Sequence, residues 1–351
     1  YKGSVYYAQD AFEGLATLDR IMPAIRAGEP LPSLTRGGVE VPARGHEDSG
    51  YDEVRIATPP IGGDGSTTND QEYAVSGVRR DAPVPTPPFW GSRVVRGIPL
   101  RDIYQWINEI ALFRGQWQYQ KGERSDPEYA AFVENEVRPV FRRMQERAIA
   151  EQLLEPAAVY GYFPCQADKN DLLVWPNFAD GKPVGEPIRF EFPRQPHDRR
   201  LCVADFYRPV ESGEYDTVAF TLVTMGQRAS EFAKELFEAN DYRDYLHFHG
   251  FAVETAEGFA EYFHKRVREE LGIAGADAKE VKKIFQQQYQ GSRFSFGYPA
   301  CPDLEQQIGI AALLDPARIG LELSETFQWH PEQSTSAIIA HHPEAKYFVI
   351  R

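Results

Sequence analysis

Cysteine is scarce in this chain: three in 351 residues, at positions 165, 202 and 301, with no pair at C-x-x-C spacing. That excludes a disulfide-stapled scaffold and fits a reducing, cytoplasmic setting. Long apolar runs are missing too. Nothing approaches the roughly 18 consecutive apolar residues that a membrane-crossing helix requires, and the opening residues, Y-K-G-S-V-Y-Y-A, do not read as a secretory leader. Basic residues are outnumbered, 38 Lys and Arg against 52 Asp and Glu, giving a formal net charge of −14. A nucleic-acid partner is therefore not expected, because phosphate recognition needs clustered Lys and Arg. No internal repeat is evident. What is present is an ordinary globular composition, 42% hydrophobic and 26% charged, sufficient for a sizeable core. The length suits one large domain with appendages.

Three zones differ in character. Residues 1–27 read as a strand followed by a helix whose apolar positions, Phe12, Leu15, Leu18, Ile21 and Met22, share one face. Such a pair cannot bury its apolar faces alone. Residues 28–88 are rich in Pro, Gly, Ser, Thr and Asp and read as a linker that drapes across a neighbouring surface. Ordered structure is expected over 89–351. There the patterning predicts helices at 99–113, from Asp126 onward (bent near Pro139), at 228–246 and at 252–271. Strands are predicted at 158–164, 171–176, 188–193, 217–224, 336–340 and 346–350. Strands grouped before helices, then strands again, indicate an α+β fold with an antiparallel sheet rather than βαβ repeats.

The densest chemistry lies in R-F-S-F-G-Y-P-A-C-P, Arg293 to Pro302. Gly297 permits a backbone angle other residues avoid, while Pro299 and Pro302 remove two amide donors and stiffen the loop. Such a loop can hold backbone groups around a flat polar ligand, or can simply be a well-packed turn. Its wording resembles the signature of the activation domain of cobalamin-dependent methionine synthases. Further matches occur in order: L-C-V-A-D-F at 201–206, G-F-A-E-Y-F-H-K-R-V-R at 258–268, Y-Q-G at 289–291, L-S-E-T-F at 323–327 and H-P-E-A-K-Y-F at 342–348. The resemblance covers roughly residues 90–351, and residues 1–27 resemble the last strand and helix of the family's cobalamin-binding module. It implies a twisted antiparallel sheet with flanking helices and a site for S-adenosyl-L-methionine (AdoMet).

By that resemblance Arg293 takes the AdoMet carboxylate, a role its planar fork suits. Glu257 matches a glutamate that faces the ligand. Tyr298 and the backbone around Ala300 fall where relatives cradle adenine and ribose, and Tyr347 and Phe348 match an aromatic pair near the nucleoside. Taken alone, those two residues read more readily as the core of a sheet strand. Asn108 stands where relatives carry an aspartate; its amide can accept from the ligand's ammonium but supplies no charge, and Glu109 is the alternative. Leu304 departs from a common histidine. Glu261 and His264 form an E-x-x-H pair, yet a di-iron site needs a second such pair, which the sequence lacks; for Glu261 an acidic solvent face is the simpler reading. His247 and His249 read as structural, and Cys301 has no His/Asp pair to activate it.

The resemblance implies a reactivation module that presents the AdoMet methyl group to cob(II)alamin during reductive methylation. Cobalamin would be bound mainly by a module absent from this sequence, and the electron would come from a flavodoxin-like reductase. No residue of the chain need act as acid or base, and the segment alone is not expected to make methionine. The G-x-G strand-loop-helix signature of typical methyltransferases is missing. The alternative is a non-catalytic module that docks a flavoprotein reductase or a neighbouring domain.

Overall fold

The computed structural model describes residues 76–350 and the backbone of two short strands, Thr35–Arg36 and Val39–Glu40. The strand–helix reading of 1–27 lies outside the described residues. The chain divides into two units, Tyr1–Tyr73 and Ala74–Arg351. In the first, Thr35–Arg36 pairs antiparallel with Val39–Glu40.

The second unit is built on seven antiparallel strands: β1 (Gly91–Arg96), β2 (Ala157–Asp168), β3 (Asp171–Val174), β6 (Ile188–Glu191), β7 (Asp216–Thr224), β8 (Ser292–Ser295) and β11 (Ser334–Ala340). A small ribbon, β4 (Asn177–Ala179) with β5 (Lys182–Val184), interrupts the run, as does β9 (Glu322–Leu323) with β10 (Trp329–His330). The sheet order is β8-β11-β7-β2-β3-β6. The twelve-residue β2 is long enough to fork: its first half pairs with β1 and its second half with β3, while β7 runs along its other edge.

Strand alternation divides the molecule into layers. Val159, Phe163 and Cys165 of β2, with Val218, Phe220 and Leu222 of β7, enter one core together with Phe206, Phe294, Ile310 and Phe348. Helix α7 (Gln307–Leu314) packs on that face. The opposite β2 face turns Tyr160 and Tyr162 toward helix α5 (Tyr242–Glu270), where both hydroxyls donate to Glu270. The α+β antiparallel architecture expected from the sequence is the one found.

Differences are local. The first long helix is instead a short α1 (Leu100–Tyr104), a turn, and a π-helical segment at Ala111–Gln116. Helix α2 (Asp126–Phe132) is capped by Ser125, whose backbone and hydroxyl both donate to Glu128. A π-helical turn, Val133–Val137, precedes α3 (Arg138–Ala150), absorbing the missing amide of Pro139. Helix α4 (Gln227–Glu238) ends at Asn240, which takes φ +59°, and α5 begins under the Asp241 cap. The break thus falls ahead of His247, not after it. Residues 346–350 form no strand; side-chain bonds hold them, with Gln195 donating to the Val349 carbonyl and Lys346 to those of Gln287 and Tyr289. A four-residue α6 (Val281–Ile284) precedes β8. Among the described residues no helix is long and apolar enough to cross a membrane.

Candidate functional site

A cleft of about 350 Å³ opens between α5, β8, the Trp106–Ala111 turn and the C-terminal tail. One wall is the α5 face carrying Glu254, Glu257 and Glu261, three and four residues apart and so stacked on one side of the helix. Across from it stands β8. Period-two alternation sends Phe294 into the core and Arg293 toward α5. The third wall approaches closely because α5 has Gly258: a Cβ there would lie 3.1 Å from the Trp106 backbone. That contact seats the turn carrying Asn108.

Arg293 organises the site. Its Nη2 donates to Glu257 Oε2 at 3.2 Å and to Glu261 Oε1 at 3.1 Å, while Nη1, also buried, has no partner. Burial opposes the charge on Arg293, but Glu261 and Glu257 outweigh it and hold the guanidinium firmly protonated. Burial likewise pushes Glu261 up, yet Arg293, aided by His264, holds its carboxyl at about 2. Glu261 is therefore the inner partner of Arg293, not part of a solvent-facing acidic stripe. His264, one turn on and fully buried, is held down at about 4 chiefly by burial.

Of the sequence-derived candidates, Asn108, Glu257, Arg293, Tyr298 and Tyr347 share this cleft. Tyr298 stands half-exposed at the mouth, and Glu257 first, then burial, raises its phenol. Its loop is closed by Gly297 N–H to Cys301 O and Cys301 N–H to Tyr298 O, both 2.9 Å, with Gly297 at φ +85° against Leu304. Tyr347 leans on Phe294, ring centroids 6.3 Å apart.

Phe348 and Ala300 are not in the lining. Phe348 packs into the core against Phe206 and Phe294, and the Ala300 side chain is fully buried there. Asn108 lines the cleft, but its Oδ1 already accepts from the Ile110 and Ala111 amides at 3.1 and 3.3 Å. Its free side-chain group is thus the Nδ2 donor, not an acceptor for an ammonium. The alternative, Glu109, is committed to Arg138 by two hydrogen bonds of 2.7 Å.

Glu254 was not legible as a site residue. It is 8% exposed, and Gln116, delivered by the π-helical segment, donates to its Oε1 at 3.2 Å. Burial first, then Glu257, pushes its carboxyl up to about 7. The E-x-x-H pair has become a salt-bridge partner and a buried imidazole. Among the described residues no three His, Cys, Asp or Glu side chains are grouped to hold a metal. Burial lifts the Cys301 thiol to about 12, so it is a poor nucleophile.

In sum of charge, three carboxyl groups face one guanidinium that keeps a free donor. That arrangement can hold a ligand carrying one carboxylate and positive charge elsewhere.

The model for the vitamin B12-dependent methionine synthase activation domain matches residues 100–351. Methionine synthase of Mycobacterium tuberculosis is 45% identical over 99% of the chain, and that of Mycobacterium leprae is 42% identical over 99%. The chain spans about 30% of the length of these two relatives. A crystal structure of the MetH reactivation domain bound to AdoHcy superposes with a TM-score of 0.66 at 25% identity, covering 76% of this chain and 83% of that one. The chain belongs to the family of vitamin B12-dependent methionine synthase activation domains.

Proposed function

We propose that the cleft binds AdoMet and that the chain is the reactivation module of a longer methionine synthase. The observation that carries this reading is the buried, unpartnered Nη1 of Arg293, beside carboxylates that outnumber it, in a chain of this family. Nη1 takes the ligand's carboxylate. Glu257, half of whose oxygens are left by Arg293, takes its ammonium, and Asn108 Nδ2 adds a donor. Tyr298 and Tyr347 flank the nucleoside. The AdoHcy named with the related reactivation domain is the demethylated form of the same ligand.

The chain's contribution is positional. Fixing the amino-acid end and the nucleoside holds the methyl group in one orientation, removing the entropic cost of bringing donor and acceptor together. Cobalamin, carried by another module of the whole enzyme, would supply the metal that receives the methyl group. A flavodoxin-like protein would supply the electron, in the cytoplasm. On this reading residues 1–27 are the end of the cobalamin-binding module, 28–88 a linker and 89–351 the activation domain. The alternative of a docking module without a ligand has no observation in its favour.

Calorimetric titration of AdoMet into the chain, beside Arg293→Ala, tests the reading. Saturable binding weakened at least tenfold by the substitution, about 1.4 kcal/mol, supports it. A folded chain that binds no AdoMet overturns it.

A further inference from the structure

Resting on the reading that this cleft takes AdoMet, we propose that Glu254 is the specificity-determining residue that recognises the sulfonium charge and separates AdoMet from its thioether product.

The three carboxyl groups that α5 turns to the cleft are not equivalent. Arg293 pairs with both Glu257 and Glu261. Glu254 pairs with no cation among the described residues; its hydrogen-bond partner is the neutral amide of Gln116. Although more than nine-tenths buried, it lines the cleft, so the surface it keeps faces the ligand space.

A sulfonium has no hydrogen to donate. It is recognised by opposite charge, by an aromatic face or, more weakly, by neutral oxygens facing its polarised C–H groups. With the ligand's carboxylate on Arg293, its ammonium lies beside Glu257, and two methylene groups separate the α-carbon from sulfur. Glu254 lies three residues back along α5 from Glu257, a rise of about 4.5 Å, so a ligand running from Glu257 toward the N-terminal end of α5 carries its sulfur past it. Beside an empty cleft or a thioether, a buried carboxyl without a cation favours its neutral form. A sulfonium reverses that balance and favours the carboxylate, so the positive ligand gains an interaction the thioether cannot.

The other titratable groups lining the cleft are Glu257, Glu261, Arg293, Tyr289, Tyr298 and Tyr347. Glu261 stays ionised and Arg293 and the tyrosines stay protonated around neutrality. Glu257 is the second carboxyl beside Glu254 and serves as the control.

The test is calorimetry near pH 7 with AdoMet, AdoHcy and an analogue bearing an amine in place of the methylsulfonium, in two buffers of different ionisation heat. In wild type, AdoMet and the amine analogue release a fraction of a proton on binding, and AdoHcy does not. Glu254→Gln abolishes that release, whereas Glu257→Gln keeps it. At pH 8, Glu254→Gln weakens AdoMet about tenfold, the equivalent of one pKa unit, and leaves AdoHcy within about twofold. Equal weakening of AdoMet and AdoHcy would place Glu254 on the ammonium and overturn the proposal, as would no weakening of either. If Glu254→Gln does not fold, the wild-type comparison of proton release decides alone. Failure of wild type to bind any of the three ligands would instead overturn the reading of the cleft itself.

Discussion

Arg268 grips Asp277 with two nitrogens: Nε lies 3.0 Å from Oδ1 and Nη2 2.8 Å from Oδ2, the arginine side chain fully buried and the aspartate nearly so. The guanidinium also lies 4.3 Å above the Tyr289 ring. This clamp ties the end of α5 to the segment leading into β8, directly behind the cleft. Asp277→Asn keeps the shape but strands a buried cation, so it should cost about 3–5 kcal/mol. Urea unfolding at pH 7 measures this; a loss below about 1 kcal/mol would show that water reaches Arg268.

Stability should vary with pH in two separable windows. Glu254 has its folded value raised to about 7, so its contribution is full below the unfolded carboxyl range and is lost as pH rises through 7. The stability of wild type relative to Glu254→Gln should therefore fall by roughly 3 kcal/mol between pH 4 and pH 8. A flat difference would contradict it.

In acid the signs reverse. Glu261 is held at about 2 and His264 and His247 at about 4, all depressed in the fold. The histidines' contributions are present above about 6.5 and are lost as pH falls through 4. That of Glu261 is present above about 4.3 and is lost toward 2. Glu261→Gln should flatten the lower part of the acid unfolding curve, followed by circular dichroism.

Gly161 sits on β2 opposite Ser92 of β1. A Cβ there would lie 2.3 Å from the Gly91 carbonyl oxygen, a backbone atom with no rotamer to change. Gly161→Ala should force the two strands apart and cost about 1–3 kcal/mol. Thermal unfolding beside Gly275→Ala, where a Cβ meets nothing, gives the comparison.

Asp205 is fully buried and receives Arg194 through two bonds of 2.6 and 2.8 Å and Arg80 through one of 2.7 Å. Asp205→Asn should destabilise by about 3–5 kcal/mol, leaving arginines facing no charge. Arg80→Ala should cost less, about 1 kcal/mol, yet open residues 76–88 to limited proteolysis. Unchanged cleavage there would show that Arg80 does not secure the segment.

Glu257 and the Arg293 loop were legible through motif resemblance, whereas Glu261 read as a solvent face because its partner, Arg293, lies 32 positions away. Glu254 was not legible: an isolated glutamate on a helix reads as solvated, and its hydrogen-bond partner, Gln116, is 138 positions away. Asn108 misled for the opposite reason. Its own neighbouring amides compete for the oxygen, as short polar side chains before a helix often allow. The strands β2 and β7 announced themselves by composition. The tail at 346–350 has strand-like residues, but the bonds that hold it come from the side chains of Lys346 and Gln195, which no periodicity reveals. The break between α4 and α5 turns on a left-handed Asn240, which apolar patterning overlooked.

The anchoring of residues 76–88 also moves the boundary of the domain. Arg80 on Asp205, the Arg79 carbonyl on His342 and the Pro85 carbonyl on Thr217 fasten this stretch to the domain. Residues that look like spacer in the sequence are therefore part of the folded unit, whose boundary falls at Ala74 and not at Phe89.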